Sequence, residues 1–193
     1  MNKTINIPTE LVGTDRKTEM VIELKNIRIN HSFSEETVCF TSDLYVDGKR
    51  LCRCKNDGHG GNTDYDVYRV EDRPLVKRVE EICKTLPKWK SDLVEGKEWD
   101  YTLEYVIDEM IGDHVNNLEK KRFETKKQKD MLKCLVLSKG VEGQYDIVSW
   151  KGHTIQSMLQ KPNGVEMLKK TVSKYRLEGY MILNTNLPTE VLS

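Results

Sequence analysis

Apolar and polar residues alternate through the first third of the chain, which predicts β-strands. The stretch 20–29 alternates but changes parity at Lys25–Asn26, so we predict a strand that contains a β-bulge at that point. The stretches 37–46 and 50–55 also alternate, and they flank Asp47-Gly48, a dipeptide typical of hairpin turns. We therefore expect three strands before residue 56.

The register of the predicted hairpin decides which side chains reach the core, because a slip of one residue reverses every side chain. A three-residue loop that ends at Gly48 would turn Cys52 and Cys54 inward, whereas a two-residue loop would bury Leu51 and Arg53. We favour the three-residue loop, since it buries two small apolar groups and leaves the guanidinium in solvent.

Apolar residues recur at helical spacing in later stretches. Residues 74–86 are predicted as a helix with Asp72 as its N-cap. A long helix is predicted from about 100 to 130, and its apolar stripe ends at Leu118. Another helix is predicted to begin near residue 164 and to end at Gly179.

The final third also contains strand-like alternation. Residues 132–137 and 145–150 are predicted as a second hairpin, a short helix is predicted to begin near Thr154, and residues 180–183 are predicted as a last strand. This order of elements predicts an α+β fold with antiparallel hairpins, about six strands, a long central helix and two to three further helices.

The length of the chain is typical of one domain, so we predict a single α+β domain over residues 1–193. Two lobes, 1–98 and 131–193, joined by the helix 100–130, are the alternative arrangement.

Composition and charge narrow the range of functions. The 193 residues contain 31 Lys+Arg and 31 Asp+Glu, and this balance argues against a dedicated nucleic-acid-binding protein. No apolar run is long enough to cross a bilayer, and the first ten residues lack a signal-peptide pattern. The five cysteines have no disulfide-framework spacing, so we expect reduced thiols in a cytoplasmic protein without a membrane partner.

A glycine-rich segment after the first hairpin carries the strongest candidate chemistry. Glycine adopts backbone angles closed to other residues, so amides between positions 56 and 64 can converge on an anion, with an aromatic ring nearby to stack on a base. The predicted ligand-binding residues are Arg53, Lys55, Asn56, Asp57, Gly58, His59, Gly60, Gly61, Thr63 and Tyr65. A plain structural turn is the alternative, because the glycines match neither common nucleotide-binding motif.

The same segment offers candidate metal ligands. Asp57, His59 and Asp64 are close in sequence and of the types that bind zinc or another divalent metal. No second group of residues at ligand spacing accompanies them, so we predict no cofactor and keep a metal site as the alternative. No local motif indicates a nucleophile paired with a base, and we predict no catalytic residues.

A basic run follows on the long predicted helix. Lys120, Lys121, Arg122 and Lys126 are candidate interaction residues for a partner with negative charge. A solvated helix face is the alternative interpretation. The apolar stripe of the same helix can pack within its own chain or against a second copy, which leaves a homo-oligomer open.

Four short motifs carry a resemblance to a group of proteins. Glu23-Leu-Lys-Asn-Ile27, Ser34-Glu-Glu-Thr37, Tyr45-Val-Asp-Gly-Lys49 and Asn56-Asp-Gly-His-Gly-Gly61 together resemble small bacteriophage and mobile-element proteins with no established activity. The resemblance implies a phage-like origin. By analogy with small phage accessory proteins, it favours a non-enzymatic binding protein that antagonises a host defence system in the host cytoplasm.

Three functional hypotheses follow. The first is a binding protein whose ligand is a host protein or a phosphate-bearing nucleotide. The second is a metal-dependent phosphoesterase that uses the candidate metal ligands. The third is a nucleic-acid-associated interaction protein that acts through the basic helix.

Overall fold

The computed structural model describes residues 2–7, 18–90 and 97–193, and the chain divides into two units, Met1–Val115 and Asn116–Ser193. Ten strands and five α-helices lie within the described residues, and every strand pair is antiparallel. The predicted α+β class with a long central helix is confirmed.

A five-stranded antiparallel sheet dominates the first unit. Its strands follow chain order across the sheet, so each strand pairs with the next one along the chain. The strands are β1 (Asn2–Ile7), β2 (Thr18–Ile29), β3 (Phe40–Val46), β4 (Lys49–Asn56) and β5 (Asp64–Val67). A 3-10 turn at His31–Phe33 precedes β3, and another at Val70–Asp72 follows β5.

The predicted β-bulge in β2 is confirmed. The register between β2 and β3 shifts between Lys25 and Arg28, and Asn26 has a φ of 55°. An Asn tolerates this left-handed conformation better than most residues. The bulge reverses the parity of β2, so Ile27 and Ile29 pack on the same core as the earlier apolar positions.

The hairpin turn differs from the favoured prediction. Asp47 and Gly48 form a two-residue turn with φ angles of 49° and 78°, and Val46 pairs with Lys49. An extra residue, Leu51, then forms a second bulge, because Tyr45 pairs with Arg50 whereas Leu44 pairs with Cys52. The loop length was therefore predicted wrongly, but Cys52 and Cys54 are buried as expected.

Helices complete the core of the first unit. α1 (Arg73–Lys84) and the N-terminal part of α2 (Leu103–Lys133) pack their apolar stripes on one face of the sheet. A small ribbon of β6 (Trp89–Lys90) and β7 (Glu98–Trp99) lies between them in sequence. Asp72 precedes α1 as predicted, but its side chain accepts a hydrogen bond from Lys49 and does not cap the helix.

The second unit has its own sheet and core. Its three antiparallel strands lie in the order β10-β8-β9, and a separate set of apolar side chains fills the core. After the end of α2, its elements are β8 (Leu135–Ser138), β9 (Asp146–Val148), α3 (Ile155–Leu159), α4 (Gly164–Leu177), β10 (Met181–Ile182) and α5 (Thr189–Leu192). The second hairpin, the short helix after Thr154 and the last strand are thus confirmed.

Candidate functional site

The glycine-rich loop is held together by the buried side chain of Asn56. The Oδ1 atom of Asn56 accepts hydrogen bonds from Thr37 Oγ1 at 2.8 Å and from the Gly58 amide at 2.9 Å. Its Nδ2 atom donates to the Gly61 carbonyl at 3.0 Å and to Thr63 Oγ1 at 3.1 Å. Asn56 is therefore a structural clamp, and its side chain has no remaining donor for a ligand.

Three further amide donors of the loop are also used within the protein. The His59 amide donates to Asp57 Oδ1 at 3.4 Å, the Gly60 amide to Thr37 Oγ1 at 3.3 Å, and the Thr63 amide to Glu104 Oε1 at 3.1 Å. The Gly58 carbonyl accepts from the three amides of residues 35–37. The structure thus contradicts the expected convergence of these donors on an anion, because they point to separate internal acceptors.

The predicted metal ligands are not brought together. His59 Nδ1 lies 3.2 Å from Glu35 Oε2, and Asp64 Oδ2 lies 3.4 Å from Lys55 Nζ. Within the described ranges, no group of three or more His, Cys, Asp or Glu side chains could hold a metal ion. Asp57, His59 and Asp64 therefore do not form a ligand set.

Two further candidate residues have structural roles. Thr63 is buried and donates to Asp108 Oδ1 at 2.5 Å, and Tyr65 packs against the core and donates to Glu80 Oε1 at 2.7 Å. Burial raises the pKa of the Tyr65 hydroxyl, and the Glu80 carboxylate raises it further. Tyr65 is therefore a neutral hydrogen-bond donor that is not positioned to stack on a ligand.

Arg53 and Lys55 occupy a different surface, the solvent-facing side of the five-stranded sheet. In the register of the sheet, Lys55 lies opposite Thr41, and Thr41 lies opposite Arg28. Arg53 lies opposite Asp43 in the next cross-strand row. Cross-strand neighbours are about 5 Å apart, so these side chains share one patch of the sheet.

A buried carboxylate organises this patch. Asp43 is only 6% exposed, and its carboxylate accepts hydrogen bonds from Asn26 Nδ2 at 2.6 Å, from Arg50 Nη2 at 2.9 Å and from the Tyr68 hydroxyl. Burial alone would raise the pKa of Asp43, but these hydrogen bonds and the Arg50 charge outweigh burial and lower the pKa. Asp43 is therefore held as the ionised carboxylate.

Arg50 is fixed by Asp43 and by an aromatic ring. Its guanidinium carbon lies 4.0 Å from the centroid of the Tyr68 ring, and its Nη2 atom donates to the Tyr68 hydroxyl at 2.8 Å. Burial and the Asp43 hydrogen bond raise the pKa of that hydroxyl. Asp43 and Tyr68 together hold the Arg50 guanidinium in one orientation.

A hollow of about 360 Å³ lies beside this cluster, and we call it the arginine hollow. Three arginines and one carboxylate give its lining a formal charge of +2. Among the described residues, neither Arg28 nor Arg53 has a side-chain hydrogen bond or ion pair, although Asp66 lies opposite Arg53 in the register. The lining consists of Asn26, Arg28, Thr41, Ser42, Asp43, Arg50, Arg53 and Tyr68.

A second hollow of about 470 Å³ adjoins the first on the same side of the sheet. Arg28 and Thr41 line both hollows, and Lys55, Asn56 and Asp57 belong to the second one alone. The Lys55 ammonium lies 3.4 Å from Asp64 Oδ2 at an exposed position, where such a pair contributes little stability. Lys55 can therefore change partner at low cost.

Most of the arginine hollow was missed by the sequence analysis. Arg53 was predicted, but Asn26, Arg28, Asp43 and Arg50 were not. The bulge at Asn26 was visible in the sequence and is what turns this side chain towards Asp43. The bulge at Leu51 had no such signal, and it places Arg53 opposite Asp43.

The predicted basic interaction residues lie on α2 in the second unit. Lys121, Arg122 and Lys126 line one shallow groove of the helix surface, together with Leu118, Thr125 and Lys129. Lys120 lines a separate cleft of about 750 Å³ between α2 and the loop after β8. The four residues therefore belong to two surfaces.

Protein-family models, curated proteins and solved structures were each compared with the chain, and none of them matches it. Within the part of the chain that the structure describes, no helix is both long and apolar enough to cross a membrane. The functional interpretation therefore depends on the geometry of the described residues.

Proposed function

We propose that the protein binds a phosphate-bearing nucleotide without transforming it, and that the ligand occupies the arginine hollow. The proposal is carried by one observation: two exposed guanidinium groups, those of Arg28 and Arg53, flank a hollow without a protein partner among the described residues. Arginine is suited to bind phosphate through two parallel N–H···O bonds.

The fixed Arg50 supports the proposal as well. Because Asp43 and Tyr68 already hold its guanidinium, less conformational freedom is lost when an anion binds beside it. The hollow of about 360 Å³ falls within the usual range for small-molecule sites, roughly 300–1,000 Å³, and the adjoining hollow adds room for a sugar or base.

We further propose a biological setting on the strength of the sequence resemblance. A phage-like protein that holds a nucleotide in the host cytoplasm would withdraw that nucleotide from a host defence system. In this setting binding alone is sufficient, and no turnover of the ligand is needed.

Calorimetric titration of the purified protein tests the site, with AMP, ATP, cyclic AMP, a cyclic dinucleotide and inorganic phosphate as probes. We expect at least one nucleotide to bind, and Arg28→Ala and Arg53→Ala each to weaken it roughly 10- to 150-fold. Each loss corresponds to hydrogen bonds with a charged partner, about 1.5–3 kcal/mol.

The matched control is Arg78→Ala, which removes an exposed arginine from α1 in the same unit but away from the open face of the sheet. Absence of binding by every probe up to about 1 mM would contradict the proposal. Equal affinities of Arg53→Ala and Arg78→Ala would contradict the position of the site. Chromatography of the recovered nucleotide tests the absence of turnover, since a changed product would indicate an enzyme.

A further inference from the structure

The arginine hollow and the adjoining hollow divide the cations of the open sheet face between them. Arg53 lines the arginine hollow alone, Lys55 lines the adjoining hollow alone, and Arg28 lines both. Thr41 is the other residue that the two hollows share near Arg28. A ligand that extends from one hollow into the other would therefore meet a cation in each, with Arg28 at the junction.

The strand register sets the spacing of these cations. Arg53 and Lys55 are two residues apart on the same side of β4, so their Cα atoms are separated by about 7 Å. Lys55, Thr41 and Arg28 form one row across three strands, which places the Cα atoms of Lys55 and Arg28 about 10 Å apart. Cations in separate hollows at this spacing suit two phosphate groups with a sugar between them better than two phosphates joined through a shared oxygen atom.

Carboxylates border this space and limit where an anion can lie. Asp43 lines the arginine hollow, but three hydrogen-bond donors occupy its carboxylate. Asp57 lines the adjoining hollow, where its Oδ1 atom accepts from the His59 amide at 3.4 Å. Asp64 and Asp66 lie on the edge strand β5 and line neither hollow. Four cationic side chains and two carboxylates line the combined space, so its formal charge is +2, and the acidic edge strand bounds it on one side.

The adjoining hollow has the size and the cation that a second phosphate subsite needs. Its volume of about 470 Å³ and the 360 Å³ of the arginine hollow both lie within the usual range for small-molecule sites, roughly 300–1,000 Å³. The Lys55 ammonium is paired only with the exposed Asp64 carboxylate among the described residues, at 3.4 Å, and such a pair contributes little stability. A ligand phosphate can therefore replace Asp64 as its partner.

We infer that the two hollows are two phosphate subsites, and that the preferred ligand is a nucleotide with two phosphate groups separated by a ribose. One phosphate lies between Arg28 and Arg53 in the arginine hollow, and the other lies beside Lys55 in the adjoining hollow. Nucleoside 3′,5′-bisphosphates and short phosphodiester-linked dinucleotides share this chemistry. The inference rests on the proposed function, because it names the ligand class of the same site.

Calorimetric titration with two isomers tests the inference. Adenosine 3′,5′-bisphosphate and ADP contain the same atoms, but only the bisphosphate has a ribose between its phosphates. In buffer without divalent metal, we expect the bisphosphate to bind the full-length protein at least about tenfold more tightly than ADP. Lys55→Ala should weaken the bisphosphate about tenfold and AMP at most about twofold, because only the bisphosphate reaches the adjoining hollow. Arg53→Ala should weaken both ligands by the same factor, since each places a phosphate in the arginine hollow.

The matched control is Lys77→Ala, which removes an exposed lysine of α1 that lines neither hollow. We expect this control to bind every ligand within about twofold of the wild type. A linear dinucleotide with a 5′-phosphate distinguishes the two sources of the ligand chemistry. Tighter binding of the dinucleotide than of the bisphosphate assigns the site to dinucleotides, and the reverse order assigns it to bisphosphates. Circular dichroism of each variant confirms that it is folded.

Two results would overturn the inference and leave the proposed function intact. They are an affinity for ADP that equals or exceeds that for the bisphosphate, and equal affinities of Lys55→Ala and Lys77→Ala for the bisphosphate. A single-stranded oligonucleotide of about twelve nucleotides that binds more tightly than every short ligand, with a steep loss of affinity in salt, would assign the face to nucleic acid instead. Absence of binding by all of the nucleotides would contradict the proposed function itself.

Discussion

Asp43 shows how the hydrogen bonds of one buried side chain determine whether a neighbouring side chain is available to a ligand. Its carboxylate is fully engaged by Asn26, Arg50 and Tyr68, so it forms no ion pair with Arg53 in the neighbouring strand. A buried carboxylate needs such partners, because an unpaired one would be very costly. The same arrangement that stabilises Asp43 leaves Arg53 exposed to a ligand.

Replacement of Asp43 by asparagine is expected to destabilise the protein by about 1–3 kcal/mol, since Arg50 loses its counter-ion and the Tyr68 hydroxyl loses a charged acceptor. Urea unfolding measures the change. The folded-state pKa of Asp43 lies below its ordinary value, so its stabilising contribution is present at neutral pH. It is lost as the pH falls through the folded-state pKa, and the difference between wild type and variant should shrink below about pH 4.

Asp66→Asn is the matched control for this variant, because Asp66 is an exposed aspartate on the same side of the sheet. Its effect should stay within about 0.5 kcal/mol. If both variants lose the same stability, the Asp43 cluster does not have the organising role that its contacts indicate.

At the scale of elements, the glycine-rich loop acts as a tightly anchored connection between β4 and β5. Its glycines differ in whether the backbone conformation and the neighbouring atoms exclude a side chain. Gly58 has a φ of 91° and is buried, and a Cβ atom there would collide with the Phe33 carbonyl oxygen. Gly61 has neither constraint, because nothing described lies within 4 Å of a Cβ atom added to it.

Gly58→Ala is therefore expected to destabilise the protein by about 1–3 kcal/mol or more, through backbone strain and the displaced Phe33 carbonyl. Gly61→Ala should be neutral or slightly stabilising, because it restricts only the unfolded chain. Thermal unfolding compares the two variants. Equal melting temperatures would show that the loop does not have the close approach at Gly58 that distinguishes them.

Elements with strong periodicity could be predicted from the sequence, and elements without it could not. β2, β3 and α1 have apolar positions at strand or helix spacing and were recognised. β5 (Asp64–Val67) was not, because Asp-Tyr-Asp-Val has only two apolar positions and follows a glycine-rich loop. The two-residue strands β6 and β7 are too short for a period to be detected.

The candidate site could be predicted only in part for a related reason. Arg53 and Lys55 lie next to a recognisable hairpin, so their proximity was a local inference. Arg28 joins them through the register between β2 and β3, which depends on how the bulge at Asn26 is accommodated. A register set by bulges in two strands is a tertiary property that one sequence does not specify.

At the scale of the whole molecule the net charge is zero, but basic side chains are concentrated on two local surfaces. The arginine hollow belongs to the first unit, and the groove of α2 that Lys121, Arg122, Lys126 and Lys129 line belongs to the second. The two hydrophobic cores share no residue, although α2 begins in one unit and ends in the other. Each core can therefore respond separately to a change in its packing.

Leu168→Ala tests this separation, because Leu168 is fully buried in the second core. The cavity should cost about 2–5 kcal/mol, and amide hydrogen exchange should accelerate in β8 and α4. The slowest amides of β3 and β4 should keep their wild-type rates. Acceleration by the same factor in β3 and β4 would show that both units unfold as one.

The bulge at Leu51 has a consequence for how this chain can vary during evolution. Leu51 is the extra residue of its ladder, so its removal would leave Arg50 opposite Tyr45 and Cys52 opposite Leu44. Loss of one residue at any other point of β4 would exchange the inner and outer faces of the strand beyond it. In an alignment of descendants of this chain, we therefore expect single-residue gaps within these strands to fall at position 51 or at positions 26–27, where β2 carries its own extra residue.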